Sequence, residues 1–321
     1  MRVFDTKNTG VSHVENLPFK LEKEIQSIVE KNSNTFLGLE FVRSEFTLGE
    51  FRIDTLCFNH ETNSFVIIEY KRGSNYSVID QGYSYLSLMI NNKSDFIIEY
   101  NEKLNKNLRR DEIDWTQSKV VFISQNFTNY QRNSVNFKNL PFELWEIKRF
   151  KNNTIILNQI LSSSKENIKS ITNSIDESVL NTVSKEVQII DEDFHVSKLD
   201  DETKEKWIEF KDRLLQLDNI SIEIIKNYIS FKGETKKLCY AVFRKNYISL
   251  EFLRGNINPD GTTSKTFFHL EDPKKISTEG SWEWKSGVRG NIYKIRVDKS
   301  SDIDYLMFLV NQKYKNILNE E

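Results

Sequence analysis

The sequence predicts an α/β protein: a mixed sheet flanked by helices, followed by a second, smaller α+β domain. Three observations predict it. Short runs rich in Ile, Val and Phe alternate with segments whose apolar residues recur every three and four positions. One run, Lys119 to Ser124, is continuously apolar, as in a strand covered on both faces. Residues 162 to 200 are rich in Ser, Asn, Lys, Glu and Asp with few hydrophobics. The expected organisation is a domain at 1–160, a polar linker at 161–193 and a domain at 194–321.

Taken in order, residues 1–16 read as an irregular or edge segment. Leu17 to Asn32 reads as a helix, since Leu21, Ile25, Ile28 and Val29 follow helical spacing and Pro18 suits a first turn. Leu39 to Phe46 is the next predicted strand, and Leu48-Gly49-Glu50 a turn. Arg52 to Lys71 then reads as a hairpin: two apolar arms around Asn-His-Glu-Thr-Asn-Ser. Folding it with Phe58 opposite Phe65 sets Asp54 opposite Glu69. Alternation puts Glu69 and Lys71 on one face with Asp54, and Tyr70 on the other. Ser77 to Asn91 reads as a helix, with Ser77 and Asp80 at capping spacing. Asp95 to Tyr100 and Lys119 to Ser124 are predicted strands, with a polar segment between them. Thr128 to Phe137 is a predicted helix, and Phe142 to Phe150 and Ile155 to Leu161 are predicted strands.

The second block opens with a helix from Glu202 to Leu217, carried by Trp207, Phe210, Leu214 and Leu217. Strands are expected at Tyr228–Lys232, Leu238–Arg244, Tyr247–Leu253 and Tyr293–Val297, and a closing helix from Ser301. Lys226, Tyr228, Lys232, Arg244, Lys245 and Tyr247 interleave aromatics with cations. A nucleic-acid groove and a solvated sheet face both fit that pattern, the solvated face better. Trp282 and Trp284 alternate about Glu283 and are expected to pack a core or a partner.

Composition narrows the class. The 321 residues are 38% hydrophobic and 29% charged, which suits a globular chain with a sizeable core. No stretch approaches a membrane span. Two isolated cysteines, Cys57 and Cys239, predict a reducing, cytoplasmic setting and exclude a disulfide framework or zinc ribbon. His13, His60, His195 and His269 lack ligand spacing and are expected as surface or turn residues. Charge is uneven: Lys+Arg against Asp+Glu is 19 to 20 for residues 1–150, 9 to 15 for 151–225 and 17 to 12 for 226–321. The basic last part is compatible with phosphate-backbone contact.

Two acids and a lysine at the end of a greasy hairpin are costly unless they hold something. Paired carboxylates suit a hard divalent cation such as Mg2+ or Mn2+. The spacing Asp54-x14-Glu69-x-Lys71 resembles the PD-(D/E)XK nuclease superfamily, and most nearly its NucS/EndoMS-like branch. Ile53 stands where that pattern often has proline. The resemblance implies a restriction-endonuclease-like sheet and metal-dependent hydrolysis of phosphodiester bonds, in repair or phage defence. It implies Asp54 and Glu69 as metal ligands, the Tyr70 carbonyl as another, and Lys71 as the catalytic lysine. Leu-Glu-Lys-Glu-Ile-Gln resembles the family's first helix and aligns Glu22 with a further ligand, Glu24 being the alternative. Gln81-Gly82-Tyr83-Ser84-Tyr85 resembles the element whose glutamine lies near the scissile phosphate; Tyr85 is expected to pack. The block from 194 to 317 resembles a small uncharacterised domain that follows such modules. The expected partner is nucleic acid, DNA first. Cutting both strands would call for a homodimer. The other classes are a non-cleaving binder on the same fold and a protein whose C-terminal domain recruits a protein partner.

Overall fold

The computed structural model describes residues 2–6, 10–71, 78–134, 140–160, 177–188, 190–233, 236–258, 260–263, 267–283 and 288–318. The chain forms two compact units, Met1–Ile189 and Ile190–Glu321.

The first unit begins with a small antiparallel pair, β1 (Val3–Asp5) and β2 (Ser12–Val14). Helices α1 (Glu22–Lys31) and α2 (Ser33–Leu37) follow, then β3 (Glu40–Leu48), β4 (Phe51–Asn59) and β5 (Ser64–Lys71). Helices α3 (Val78–Asn91) and α4 (Lys93–Leu104) lead to β6 (Lys119–Ser124). Then come α5 (Asn129–Ser134), β7 (Phe142–Arg149), β8 (Ile155–Ile160) and α6 (Glu177–Glu186). The sheet is six-stranded, in the order β3-β4-β5-β6-β7-β8. β5 is antiparallel to β4 and parallel to β6, and β6 is parallel to β7. All eight residues of β5 are buried. That is what a central strand with helices on both faces requires.

Each face has its own core. On one, Phe58, Phe65, Ile67, Val120, Phe122 and Leu144 pack with Leu86 and Met89 of α3 and Phe96 and Tyr100 of α4. On the other, Cys57, Val66, Ile68, Tyr70, Val121 and Ile123 pack with Ile25 and Val29 of α1. α3 lies close to β7: a Cβ on Gly82 would meet the Phe142 ring at 2.6 Å, and Tyr83 meets that ring edge-on at 5.0 Å.

Three expectations about this unit need correction or restriction. Asp95 to Tyr100 is not a strand; it lies inside α4, where Phe96 and Tyr100, one turn apart, are buried while Ile98 is exposed. The expected linker, 161–193, includes α6, whose Val183 joins the first unit's core together with Val187 just beyond it. An apolar valine pair at one-turn spacing can anchor an otherwise polar helix. Ser77 as a cap and the end of the Thr128–Phe137 helix lie outside the described residues.

The second unit carries α7 (Glu192–Val196), α8 (Asp201–Leu214), β9 (Ser221–Ile225), β10 (Tyr228–Lys232), β11 (Lys237–Arg244) and β12 (Tyr247–Ile257). It ends with β13 (Ser277–Glu283), β14 (Arg289–Val297) and α9 (Ile303–Leu318). The sheet order is β13-β14-β12-β11-β10-β9, antiparallel at every pairing. Asp200 caps α8 by accepting Thr203 N–H at 2.8 Å. Trp207, Phe210 and Leu214 of α8 and Leu306, Leu309 and Val310 of α9 cover one sheet face. β13 escaped prediction because its residues are half-buried or exposed, with little apolar signal, whereas β9 was missed although Ile222 and Ile224 alternate about Glu223. His195 is fully buried, with Nε2 2.8 Å from the Ile225 carbonyl, contrary to the expected surface role. Arg244 and Lys245 are exposed at the turn between β11 and β12. Tyr247 lies under the Arg296 guanidinium at 3.9 Å. Trp284 lies outside the described residues.

Candidate active site

β4 and β5 pair with Phe58 opposite Phe65 and Thr55 opposite Ile68. One step further in that register, Asp54 stands across from Glu69. The ladder ends before them. β5 continues beside β6, with Tyr70 opposite Ile123 and Lys71 opposite Ser124. Asp54 reaches across the gap, and its Oδ2 accepts the Tyr70 N–H at 3.1 Å. Beyond Thr55 the two strands are therefore joined by the Asp54 side chain in place of a backbone rung.

Glu69 is the centre of this cluster and is 6% exposed. Its Oε1 accepts from Lys71 Nζ at 2.8 Å and from Gln81 Nε2 at 2.9 Å. Its Oε2 is buried and makes no hydrogen bond among the described residues. Gln81 reaches it from α3, and the same Nε2 donates to the Tyr85 hydroxyl at 3.1 Å. Tyr85 in turn donates to the Arg52 carbonyl at 3.3 Å, tying α3 to β4 two residues before Asp54. Tyr85 is thus more than packing. The signal for it was already in the sequence: Gln81 and Tyr85 are one helical turn apart.

Burial pushes the Asp54 carboxyl up to about 6, and the negative charge of Glu69 adds to that. The Tyr70 N–H and the Lys71 charge pull the other way but only in part. Burial and the Glu69 charge likewise raise the Tyr85 phenol. Two acids therefore repel one another here, and one keeps an oxygen with no hydrogen bond among the described residues. Carboxylate oxygens at such a spot fit a hard divalent cation.

The structure does not bring Glu22 to this cluster. It is exposed at the start of α1, whose Ile25 and Val29 pack on the sheet face away from Phe65 and Ile67. Glu69 and Lys71 share the Phe65 face by alternation. Among the described residues no three His, Cys, Asp or Glu side chains converge as metal ligands. Glu24 is turned to Arg149, at 3.2 Å. The residue of α1 that does reach β4 is Gln26, 4% exposed, whose Nε2 donates to the Asp54 carbonyl at 2.9 Å. Its position one turn before the apolar Val29 was the available clue.

An uncharacterized protein of Haemophilus influenzae is 40% identical over 321 residues, covering 98% of this chain and 100% of that one. No family model matches. Among solved structures, a repair endonuclease from Pyrococcus abyssi overlaps 41% of this chain and 49% of its own, at 13% identity and a TM-score of 0.24. An EndoMS–dsDNA complex overlaps 37% of this chain and 43% of its own, at 14% identity and 0.20. SfsA of Pyrococcus furiosus in complex with Ca2+ overlaps 47% and 77%, at 11% identity and 0.24. The chain thus spans about half the length, or less, of the two endonuclease chains.

Proposed function

The chain belongs to one family with the uncharacterized Haemophilus influenzae protein, and we propose that it is a metal-dependent nuclease acting on DNA. The observation that carries this reading is Glu69 Oε2, a buried carboxylate oxygen with no hydrogen bond among the described residues, beside a second acid and a lysine. On this reading the unit Met1–Ile189 cuts, and Ile190–Glu321 serves recognition of substrate or of a protein partner.

Hydrolysis of a phosphodiester forms a bond from water oxygen to phosphorus, breaks the bond to the leaving oxygen, and gives that oxygen a proton. Asp54 and Glu69 would hold Mg2+ or Mn2+, with the Tyr70 carbonyl beside them. A bound divalent cation supplies an activated water and neutralises phosphoryl charge. The Lys71 ammonium offsets negative charge as it grows on the phosphoryl oxygens. Gln81 holds Glu69 by its Oε1.

The test is incubation with plasmid, linear and single-stranded DNA and with RNA, in Mg2+, Mn2+ or EDTA. Cleavage of DNA in either metal, abolished by EDTA and by Glu69→Ala, is the expected result. Binding in Ca2+ without cleavage in Mg2+ or Mn2+ would overturn it in favour of a non-cleaving binder. A gel-filtration mass twice that of the chain would support the homodimer that double-strand cutting calls for.

A further inference from the structure

We propose that Gln26 is a positioning residue for Asp54, supplying a rung that the sheet itself omits. The inference rests on reading Asp54 as part of the active site.

The β3–β4 ladder runs through Ser44 opposite Thr55 and resumes at Phe46 opposite Ile53. Glu45 and Asp54 face each other between these pairs, and among the described residues they form no rung. The cause is the backbone of Glu45, which has φ +52°, in the left-handed region. A residue with a Cβ adopts that region at a cost of about 1–2 kcal/mol. Its peptide is turned out of the ladder. On the other flank the β4–β5 pairing has already stopped at Thr55 opposite Ile68. Asp54 is therefore held by neither neighbour in the ordinary way, and the carbonyl of this half-buried residue still needs a donor.

Gln26 is that donor, at 2.9 Å from the Asp54 carbonyl. The same amide nitrogen lies 2.9 Å from Glu30 Oε1, 3.2 Å from Ser44 Oγ and 3.2 Å from Glu45 Oε1. An amide carries two hydrogens, so four acceptors share two donors and the group is fully engaged. Its oxygen accepts from Lys23 Nζ at 3.2 Å. Lys23 also holds Glu45 Oε1 at 2.8 Å, and Arg52 lies 3.0 Å from Glu45 Oε2. The left-handed residue, its carboxylate and the glutamine that replaces the lost rung are one connected unit. Strained backbone persists only where its surroundings over-determine it. Here the surroundings converge on the peptide that aims the Asp54 carboxylate at the Tyr70 N–H.

A glutamine that merely docks α1 on the sheet would affect all of β5 alike. A positioning glutamine would loosen Asp54 first. Gln26→Met keeps the volume and removes the donor; Gln26→Glu keeps the shape and removes it too. The first readout is amide hydrogen exchange in EDTA. In either variant the Tyr70 amide is expected to exchange about tenfold faster relative to the amides from Val66 to Ile68, the worth of one hydrogen bond. The second is the Mn2+ concentration that half-saturates the thermal shift, expected about tenfold higher. The third is cleavage, with kcat lowered and KM held. Uniform acceleration across β5, or an unchanged Tyr70 ratio, overturns the proposal. A wild type that neither binds Mn2+ nor cuts would sink the nuclease reading, while the exchange ratio still decides the role of Gln26.

Discussion

Both units build a six-stranded sheet with helices packed on it, but they bury charge differently. In the second unit Arg254, 8% exposed, lies over the rings of Phe267 and Tyr293 at 4.8 and 4.5 Å and pairs with Glu279 at 2.7 Å. Lys313 lies over Phe268 at 4.6 Å. Cations over ring faces and beside a carboxylate are stabilised where they are. In the first unit Glu69 has its own cation, Lys71 Nζ at 2.8 Å, yet a second carboxylate, Asp54, faces it at the end of the most buried strand, and Glu69 Oε2 makes no hydrogen bond among the described residues. The comparison teaches where to look for chemistry. A buried charge matched by its neighbours belongs to the fold, whereas two like charges that share one cation are tolerated for another reason.

The sharpest way to break that contrast is to remove the charges of the first unit singly. Asp54→Ala, Glu69→Ala and Lys71→Ala are each expected to cut cleavage by about 100-fold or more, with far-ultraviolet circular dichroism unchanged. Full turnover in two folded variants would remove the site from this cluster.

The next effect is on stability and has a sign. The Asp54 carboxyl is raised from 3.8 to about 6, so the folded chain holds that proton more tightly than the unfolded one. The stabilisation is fully present below about pH 4 and is lost as pH rises through about 6. The size follows from the shift and is about 2–3 kcal/mol. Asp54→Asn should therefore lose this part of the pH dependence and, in EDTA at pH 8, melt at or above the wild type. Saturating Mn2+ should then stabilise the wild type by about 1–3 kcal/mol and the variant by less. Thermal melts at pH 4 and pH 8, with EDTA and with Mn2+, measure all of this. A variant that melts well below the wild type in EDTA would make Asp54 an ordinary hydrogen-bonding residue.

The smallest effect sharpens the other side. Arg254→Met keeps an unbranched, ring-contacting side chain but loses the cation, and is expected to destabilise by about 1 kcal/mol with cleavage unaltered. If it instead stabilised the protein, as Asp54→Asn is expected to do in EDTA, the two sheets would not differ in the way described.

Much of this was readable from residue order. The hairpin register follows from two apolar arms and a polar turn, and it sets Asp54 across from Glu69 once Phe58 is opposite Phe65. Other features were hidden for physical reasons. Phe96-Ile97-Ile98 looks like a strand because three apolar residues in a row cannot report a period; only Phe96 and Tyr100 together do. Glutamates on α1 suggested a ligand, but helix pitch delivers Gln26, a residue type with no charge to advertise it. The left-handed turn at Glu45 is carried by a residue that seldom adopts it, so no sequence signal marks the missing rung.

The parallel pairing of β5 with β6 has a consequence for how the chain reaches this state. Val66 meets Lys119 only after the α3–α4 crossover has closed, whereas Thr55 meets Ile68 across a short turn. Local hairpins form in about microseconds, and long closures lag behind them. Asp54 and Glu69 thus come together in the earliest pairing, before α3 can deliver Gln81 to Glu69. The folding nucleus must carry the repulsion that the finished protein shares out. Relieving it with Asp54→Asn is then expected to show mainly in the refolding limb of a chevron plot in EDTA, with unfolding rates little changed.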